Sequence, residues 1–362
     1  VYEWDGISWN QLGDDIDGEA MDDWFGRSVS LSSDGMVVAI GGMLYDGTDT
    51  NAGHVRVYEY DGTDWNQIGA DIDGEAGNDQ SGSSVSLSSD GTVVAIGAFG
   101  NDGTDSNAGH VRVWQWDGIS WTQLGDDIDG DGGGDYFGRD VSLSSDGTIV
   151  AAGARFYDNA DGLDGTNNVG HVRVYEYDGT DWNQLGDDIV GESALDWFGQ
   201  SVSLSSDGTV VAIGGHGHDT DAGNDAGVVR VYEWDGTSWN IRTDSVTGIS
   251  DLEGDATSDN SGWAVSLSSD GNIVAIGAYG NDNSSGENAG HVKVYQYTPA
   301  TDQKNVTITG TTLTDGIAIL TAGMLTGDVT GSVTGDVTGN VTGKVTGDLI
   351  GNVTATTVTD GA

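Results

Sequence analysis

The chain has 362 residues, with 11 basic against 59 acidic side chains, no cysteine and a formal net charge of -48. That charge repels nucleic acid and anionic membranes and excludes nucleic-acid binding, leaving cations, basic protein patches and neutral glycans as partners. Disulfides and thiolate metal sites are absent, and no apolar run is long enough to cross a bilayer, so no membrane insertion is expected.

The chain opens at Val1 in mid-motif: Val1 to Trp4 (VYEW) matches the VYEY and VYQY segments of later copies, so residues upstream are expected. From Trp9 a unit of four short segments recurs. In its second copy these are DWNQIG from Asp64, GSSVSLS from Gly82, TVVAIGA from Thr92 and GHVRVWQW from Gly109. They are rich in Val, Ile, Tyr and Trp and are bounded by Gly, Asp, Asn and Ser clusters, which predicts strands. The phrase VSLSSDG fixes the register, with its valines at Val29, Val85, Val141, Val202 and Val265. Repetition at a fixed period of this size marks a propeller, solenoid or array.

Asp-Gly pairs at Asp5, Asp61, Asp117, Asp178 and Asp235 join an aromatic strand to one beginning near tryptophan, and the SSDG turns join two more. Glycine supplies the positive φ that such tight turns need, so each unit reads as an antiparallel meander. A four-stranded meander cannot bury both faces alone, and radial stacking as propeller blades solves this. The fold class is therefore all-β: a β-propeller over residues 1–297 with five complete repeats. Six or seven blades would follow if the polypeptide begins earlier.

Phe25-Gly26, Phe137-Gly138 and Phe198-Gly199 precede the first repeated strand, and Gly97-Ala98, Gly153-Ala154 and Gly277-Ala278 end the second. This resembles the FG-GAP repeat of integrin-type β-propellers, which implies a propeller fold. Ser81-Gly82 and Ser261-Gly262 stand in the FG position of two copies. The calcium loop usual between those strands in the family is replaced here by the four-residue SSDG turn.

Acidic loops follow the second strand of each copy. Asp46, Asp49, Asp102, Asp105, Asp158, Asp161, Asp219, Asp221 and Asp282 lie in them, among asparagines and glycines. Hard cations take six to eight oxygens, which makes calcium the candidate cofactor for these residues. The same residue types are also what surface turns are made of. His54, His110, His171 and His291 share one repeat position that Val228 fills in the fourth copy, which points to a structural role. His216 and His218 occur in the fourth copy alone and could hold a transition metal. Arg56, Arg112, Arg173, Arg230 and Lys293 recur at one offset and are expected to pair with carboxylates between blades.

Specificity should reside where the copies differ. The third copy's loop is longer, over about Arg155 to Asn168, and the fourth is extended in the same loop and again before Gly262. Phe156, Tyr157, Asp158, Asp161, Asp164, His216, His218 and Trp263 are therefore the candidate ligand-binding residues.

After Tyr297 aromatic residues vanish. Residues 298–324 read as a linker with short strands, and 325–362 as a VTGx repeat whose apolar beat is Val329, Val333, Val337, Val341, Val345, Leu349 and Val353. One buried valine returns about 1.5 to 3 kcal/mol, whereas ordering four backbones costs about 4 to 8 kcal/mol. Either the segment is disordered, or several copies wrap together and pair between chains. The Val-x-Gly-x octads resemble the triple-stranded β-helix of phage spikes and tail fibres, which implies a homotrimer assembled through those seven residues.

Together these features predict a non-enzymatic extracellular structural or adhesive protein. It would be a propeller head on a fibre or filament of a virion or cell appendage, self-associating through its tail and presenting loops to a surface glycan or protein receptor. A filament subunit without an external receptor is the alternative. A polysaccharide-acting enzyme would need a converging carboxylate pair, for which Glu192, Asp196, Glu253 and Asp255 are the unrepeated candidates.

Overall fold

The computed structural model describes residues 1–158, 167–245 and 247–298, together with nine two-residue strands between 325 and 359. The chain divides into two compact units, Val1–Tyr297 and Thr298–Ala362. Every regular element among the described residues is a strand.

The first unit is a five-bladed β-propeller. In the second blade the inner strand Ser84–Leu87 is followed by Val93–Ala98, His110–Trp116 and the outer strand Trp121–Gln123, each antiparallel to the last. The matching inner strands are Phe25–Leu31, Val141–Leu143, Phe198–Leu204 and Ser261–Leu267. The SSDG turn explains the first hairpin. Ser88 Oγ donates to Asp90 at 2.8 Å and accepts the Val93 N–H at 2.9 Å, while Gly91 takes the left-handed φ of 73°.

The sequence unit and the blade are out of phase by one strand. The Trp-Asn-Gln segment that opens a unit, such as Trp65–Gln67, pairs through the Asp-Gly hairpin with the preceding third strand, His54–Tyr60. It thus forms the outer edge of the blade before it. By the same rule Trp9–Gln11 pairs with Tyr2–Trp4, and the fifth blade holds three paired strands ending in His291–Gln296.

Blades join through valine-rich flanks. Val55 and Val57 of the first blade are buried against Val85, Leu87, Val94 and Ile96 of the second. The outer-strand tryptophans of the first four blades donate their indole N–H to a carbonyl of the preceding element, the N-terminal hairpin or the blade before: Trp65 to Leu12, Trp121 to Ile68, Trp182 to Leu124 and Trp239 to Leu185, at 2.8 to 2.9 Å. The glycines of the two repeated motifs meet here. A Cβ on Gly97 would lie 2.1 Å from the Gly138 carbonyl oxygen, so only glycine permits this approach.

Four junctions are built this way, and the flanks facing across the remaining gap stay open. Val292 and Val294 of the fifth blade are 68% and 66% exposed, where Val172 and Val174 are 0% and 1%. Val29 and Leu31 of the first blade are exposed as well. The N-terminal hairpin covers only part of that blade, packing Val1, Leu12 and Ile16 near Val38, Ile40 and Trp65.

In the second unit the two-residue strands pair in parallel within one chain. Leu325 pairs with Val341, Val329 with Val345, Val333 with Leu349, Val337 with Val353, and Val341 with Val358. The four-residue beat thus places the strands of the first four pairs four repeats apart, and the last pair is offset by one residue more. All seven residues expected to drive assembly stand in these strands.

Candidate functional site at the loop end of the channel

Inner strands begin, and second strands end, at the same end of the propeller. Two repeat positions are therefore neighbours there. One follows the FG motif and holds Arg27, Ser83, Arg139, Gln200 and Trp263; the other follows the second strand and holds Met43, Phe99, Arg155, His216 and Tyr279. The residue before the motif is left-handed in every copy, with Trp24, Gln80, Tyr136, Trp197 and Asn260 at φ between 51° and 58°. Here the copies differ, although they are nearly identical in the strands themselves.

A pocket of about 300 Å³ opens across all five inner strands, lined in part by Arg27, Arg139, Asp140, Gln200 and Trp263. Two runs of aromatic rings adjoin its lining residues, one through Trp263 and one through Arg139. Trp197, His216, Trp263 and Tyr279 follow one another at centroid separations of 4.7, 4.8 and 4.9 Å. Phe99, Tyr136 and Phe156 do so at 5.4 and 5.2 Å. The guanidinium of Arg139 lies 5.4 Å from the Phe99 ring centroid, and that of Arg155 4.3 Å from Phe156. Arg155 Nη1 donates to Gln200 Oε1 at 2.9 Å.

The electrostatics single this end out. The recurring cations pair with carboxylates: Arg56 with Asp71 and Glu19, Arg112 with Glu75, Arg173 with Asp188 and Asp131, Arg230 with Asp251 and Glu192, and Lys293 with Asp255. Arg242 pairs with Glu233. Among the described residues Arg27, Arg139 and Arg155 are left without an ion pair, and they act on one another. Burial and then the Arg27 charge lower the pKa of Arg139; burial and then Arg139 bring Arg155 down to about 10. Burial and the same two arginines push His216 down to about 4, so its imidazole is neutral at pH 7. The one nearby carboxylate, Asp140, accepts from Ser84 Oγ at 2.9 Å and from the Val202 N–H at 2.8 Å, and burial raises its pKa.

Four buried nitrogens at this end have no hydrogen-bond partner: Arg139 Nε, Arg155 Nε, Trp197 Nε1 and His216 Nδ1. Each such group costs about 1 to 3 kcal/mol if left unmade. A cluster of them calls for a physical account.

Of the expected ligand-binding residues, Phe156, His216 and Trp263 come together here. Tyr157 instead lies against His171, with ring centroids 4.1 Å apart, and His218 Nδ1 pairs with Asp196 at 3.0 Å, which raises the pKa of the imidazole. Asp161 and Asp164 lie outside the described residues.

The loop carboxylates have a structural occupation. Asp46, Asp102, Asp158, Asp219 and Asp282 accept the N–H of Asn51, Asn107, Asn168, Asp225 and Asn288 at 2.6 to 2.8 Å. Each of those five partners has a left-handed φ, so the bond closes the loop at its least favoured backbone position. Asp49 and Asp105 accept from the following residue, and Asp221 is exposed. Among the described residues, ligand-type triples lie elsewhere, as His54 with Asp71 and Asp73, and Glu75 with His110 and Asp127. Arg56 and Arg112 already supply a cation to those two groups.

Sequence reasoning that looked for insertions passed over Arg27, Arg139, Arg155 and Gln200, which are substitutions at fixed repeat positions. The signal that finds them is the loss of periodicity beside the most strictly repeated strand.

No protein-family model matches this chain, and no curated protein matches it. Among solved structures it is similar to the hydrazine synthase of Kuenenia stuttgartiensis, with 11% sequence identity and a TM-score of 0.43, over 73% of this chain. This chain spans 59% of that chain's length.

Proposed function

We propose that the protein is a non-enzymatic, extracellular adhesive or structural protein, whose propeller presents the loop end of its channel to a surface glycan or protein receptor. The observation that carries this is the convergence of unrepeated residues. Arg27, Arg139, Gln200, Trp263, Arg155 and His216 occupy positions where the copies diverge, on a scaffold otherwise held constant. A rigid scaffold with variation confined to one end is how recognition surfaces are built. Aromatic side chains beside a few placed polar groups are the usual surroundings of a small-molecule site.

Support for a non-enzymatic role comes from the carboxylates. Glu192 pairs with Arg230, Asp196 with His218, and Asp255 with Lys293, while Glu253 lies in the strand Asp251–Glu253 beside the fourth blade. Asp140 is the carboxylate lining the pocket, and its oxygens are engaged by Ser84 and Val202. A glycosidase needs two carboxylates facing one another across the substrate.

We assign the blades to an FG-GAP-like repeat because the Gly97 and Gly138 close approach gives both glycines of the motif one shared purpose. The VTGx tail is the assembly element in this proposal, as a stalk or filament of a virion or cell appendage. Within the chain Val345–Thr346 pairs on one side with Val329–Thr330, and an unpaired strand edge is a template for another copy.

Binding of the full chain to a panel of immobilised neutral and acidic glycans tests adhesion. We expect capture that Trp263→Ser abolishes; the fold accepts serine because Ser83 holds the matching position. No capture on any glycan would favour a filament subunit without a receptor. Light scattering of the full chain beside one ending at Tyr297 tests the tail, with a trimer or higher assembly expected to become a monomer on truncation. Equal monomer masses would remove the stalk.

A further inference from the structure

We propose that the loop end of the channel binds a single carboxylate carried on a sugar ring, with Arg139 and Arg155 as its ligands and the adjoining aromatic side chains as the platform for the ring. This rests on the adhesive function proposed above and names the ligand class of that site.

Cations come first. In a chain of net charge -48, six of the nine basic side chains among the described residues are ion-paired. Of the other three, Arg27 and Arg139 line the pocket, and Arg155 is bonded to Gln200 of its lining. Burial, and after it the repulsion of a neighbouring arginine, lowers the proton affinity of Arg139 and Arg155, with the buried Asp140 opposing this at Arg139. Such a cluster is stabilised by one negative charge placed among it. Gln200 offers Arg155 a neutral oxygen in the place where a carboxylate would have cancelled the charge.

Unpartnered donors come second. Arg139 Nε and Arg155 Nε are buried without an acceptor, and His216, only 4% exposed, has an Nδ1 without a partner. Guanidinium groups present donors in a planar fork that matches the two oxygens of a carboxylate. A ligand carboxylate supplies the missing acceptors, and a ring hydroxyl can answer Trp197 Nε1 or His216 Nδ1.

Size and long-range charge set the rest. A pocket of about 300 Å³ lies at the small end of ligand sites and suits one sugar ring. Beyond a Debye length of about 8 Å the local cations are screened. An extended polyanion would then meet the acidic surface, whereas a single charge inside the pocket would not.

The test is calorimetric titration of the full chain with glucuronate, glucose and inorganic phosphate, with the quench of tryptophan fluorescence as a second readout. Arg139→Gln and Arg155→Met are the variants, because Gln200 and Met43 already hold the matching positions in other blades. Unchanged far-ultraviolet circular dichroism confirms that each variant is folded. We expect glucuronate to bind about tenfold or more tightly than glucose, and each variant to remove about tenfold or more of that affinity. Equal affinity for glucose and glucuronate, or variants that bind as the parent does, would overturn the carboxylate while leaving an adhesive site intact. Phosphate binding as tightly as glucuronate would overturn the sugar. No binding by either sugar, with no capture on the glycan panel, would sink the adhesive function and this inference together.

Discussion

Arg155 of the third blade donates a hydrogen bond to the side-chain oxygen of Gln200 in the fourth, 2.9 Å away, at the head of the central channel. It is a bond from a cation to a neutral acceptor, beside two further arginines that make no ion pair, with the buried Asp140 as the one carboxylate near Arg139. Natural proteins often hold such unbalanced charge at sites of function, at some cost to stability.

Gln200→Glu is therefore expected to stabilise the propeller by about 1 kcal/mol, since the acceptor gains a charge that Arg155 and Arg139 both favour. The same change should abolish binding of anionic sugars. Urea unfolding midpoints and glucuronate titration on one preparation check both halves, and a destabilised variant would refute the charge imbalance.

Acid sensitivity should come from the buried histidines. His110 is pushed down to about 4, mainly by burial and then by Arg112, whereas an unfolded histidine titrates near 6.5. Between those values the unfolded chain binds a proton that the folded one does not, so stability falls as pH drops through that window. His110→Val copies the fourth blade, where Val228 is fully buried. It should recover about 2 kcal/mol of the loss between pH 7 and pH 5. Parallel pH profiles for parent and variant would contradict the assignment.

Equivalent valines should differ in worth. Val172 is fully buried between the third and fourth blades, and Val292, its counterpart in the fifth, is 68% exposed. Val172→Ala should cost about 2 kcal/mol and Val292→Ala under about 0.5 kcal/mol. Comparable costs in denaturant unfolding would mean that the open flank is covered in solution.

Calcium should not alter the melting temperature. The carboxylate of Asp102 already accepts the Asn107 N–H at 2.7 Å and holds its loop closed. Melts with calcium and with EDTA should coincide, and Asp102→Asn, which keeps an acceptor, should melt higher than Asp102→Ala. A melting temperature that rises with calcium would support the acidic loops as cation sites.

Much of the fold is local, and the sequence by itself determined it. The SSDG and Asp-Gly turns, the alternating valines and the fixed spacing specify hairpins, because a tight turn and a two-residue side-chain period leave a strand few alternatives. Conserved offsets also set apart Arg56, Arg112, Arg173, Arg230 and Lys293, which do pair with carboxylates. Which blade the Trp9–Gln11 type of strand belongs to was not legible. Its hairpin ties it backward while the repeat phrase groups it forward, and only pairing in three dimensions decides. The site is of the same kind. Arg139 precedes the inner strand and Arg155 follows the second strand of the third blade, and Gln200, His216 and Trp263 belong to two other blades, so radial packing alone brings them to one end of the channel. Whether a side chain there is paired or unpaired depends on distances between blades, and those exist only in the tertiary structure.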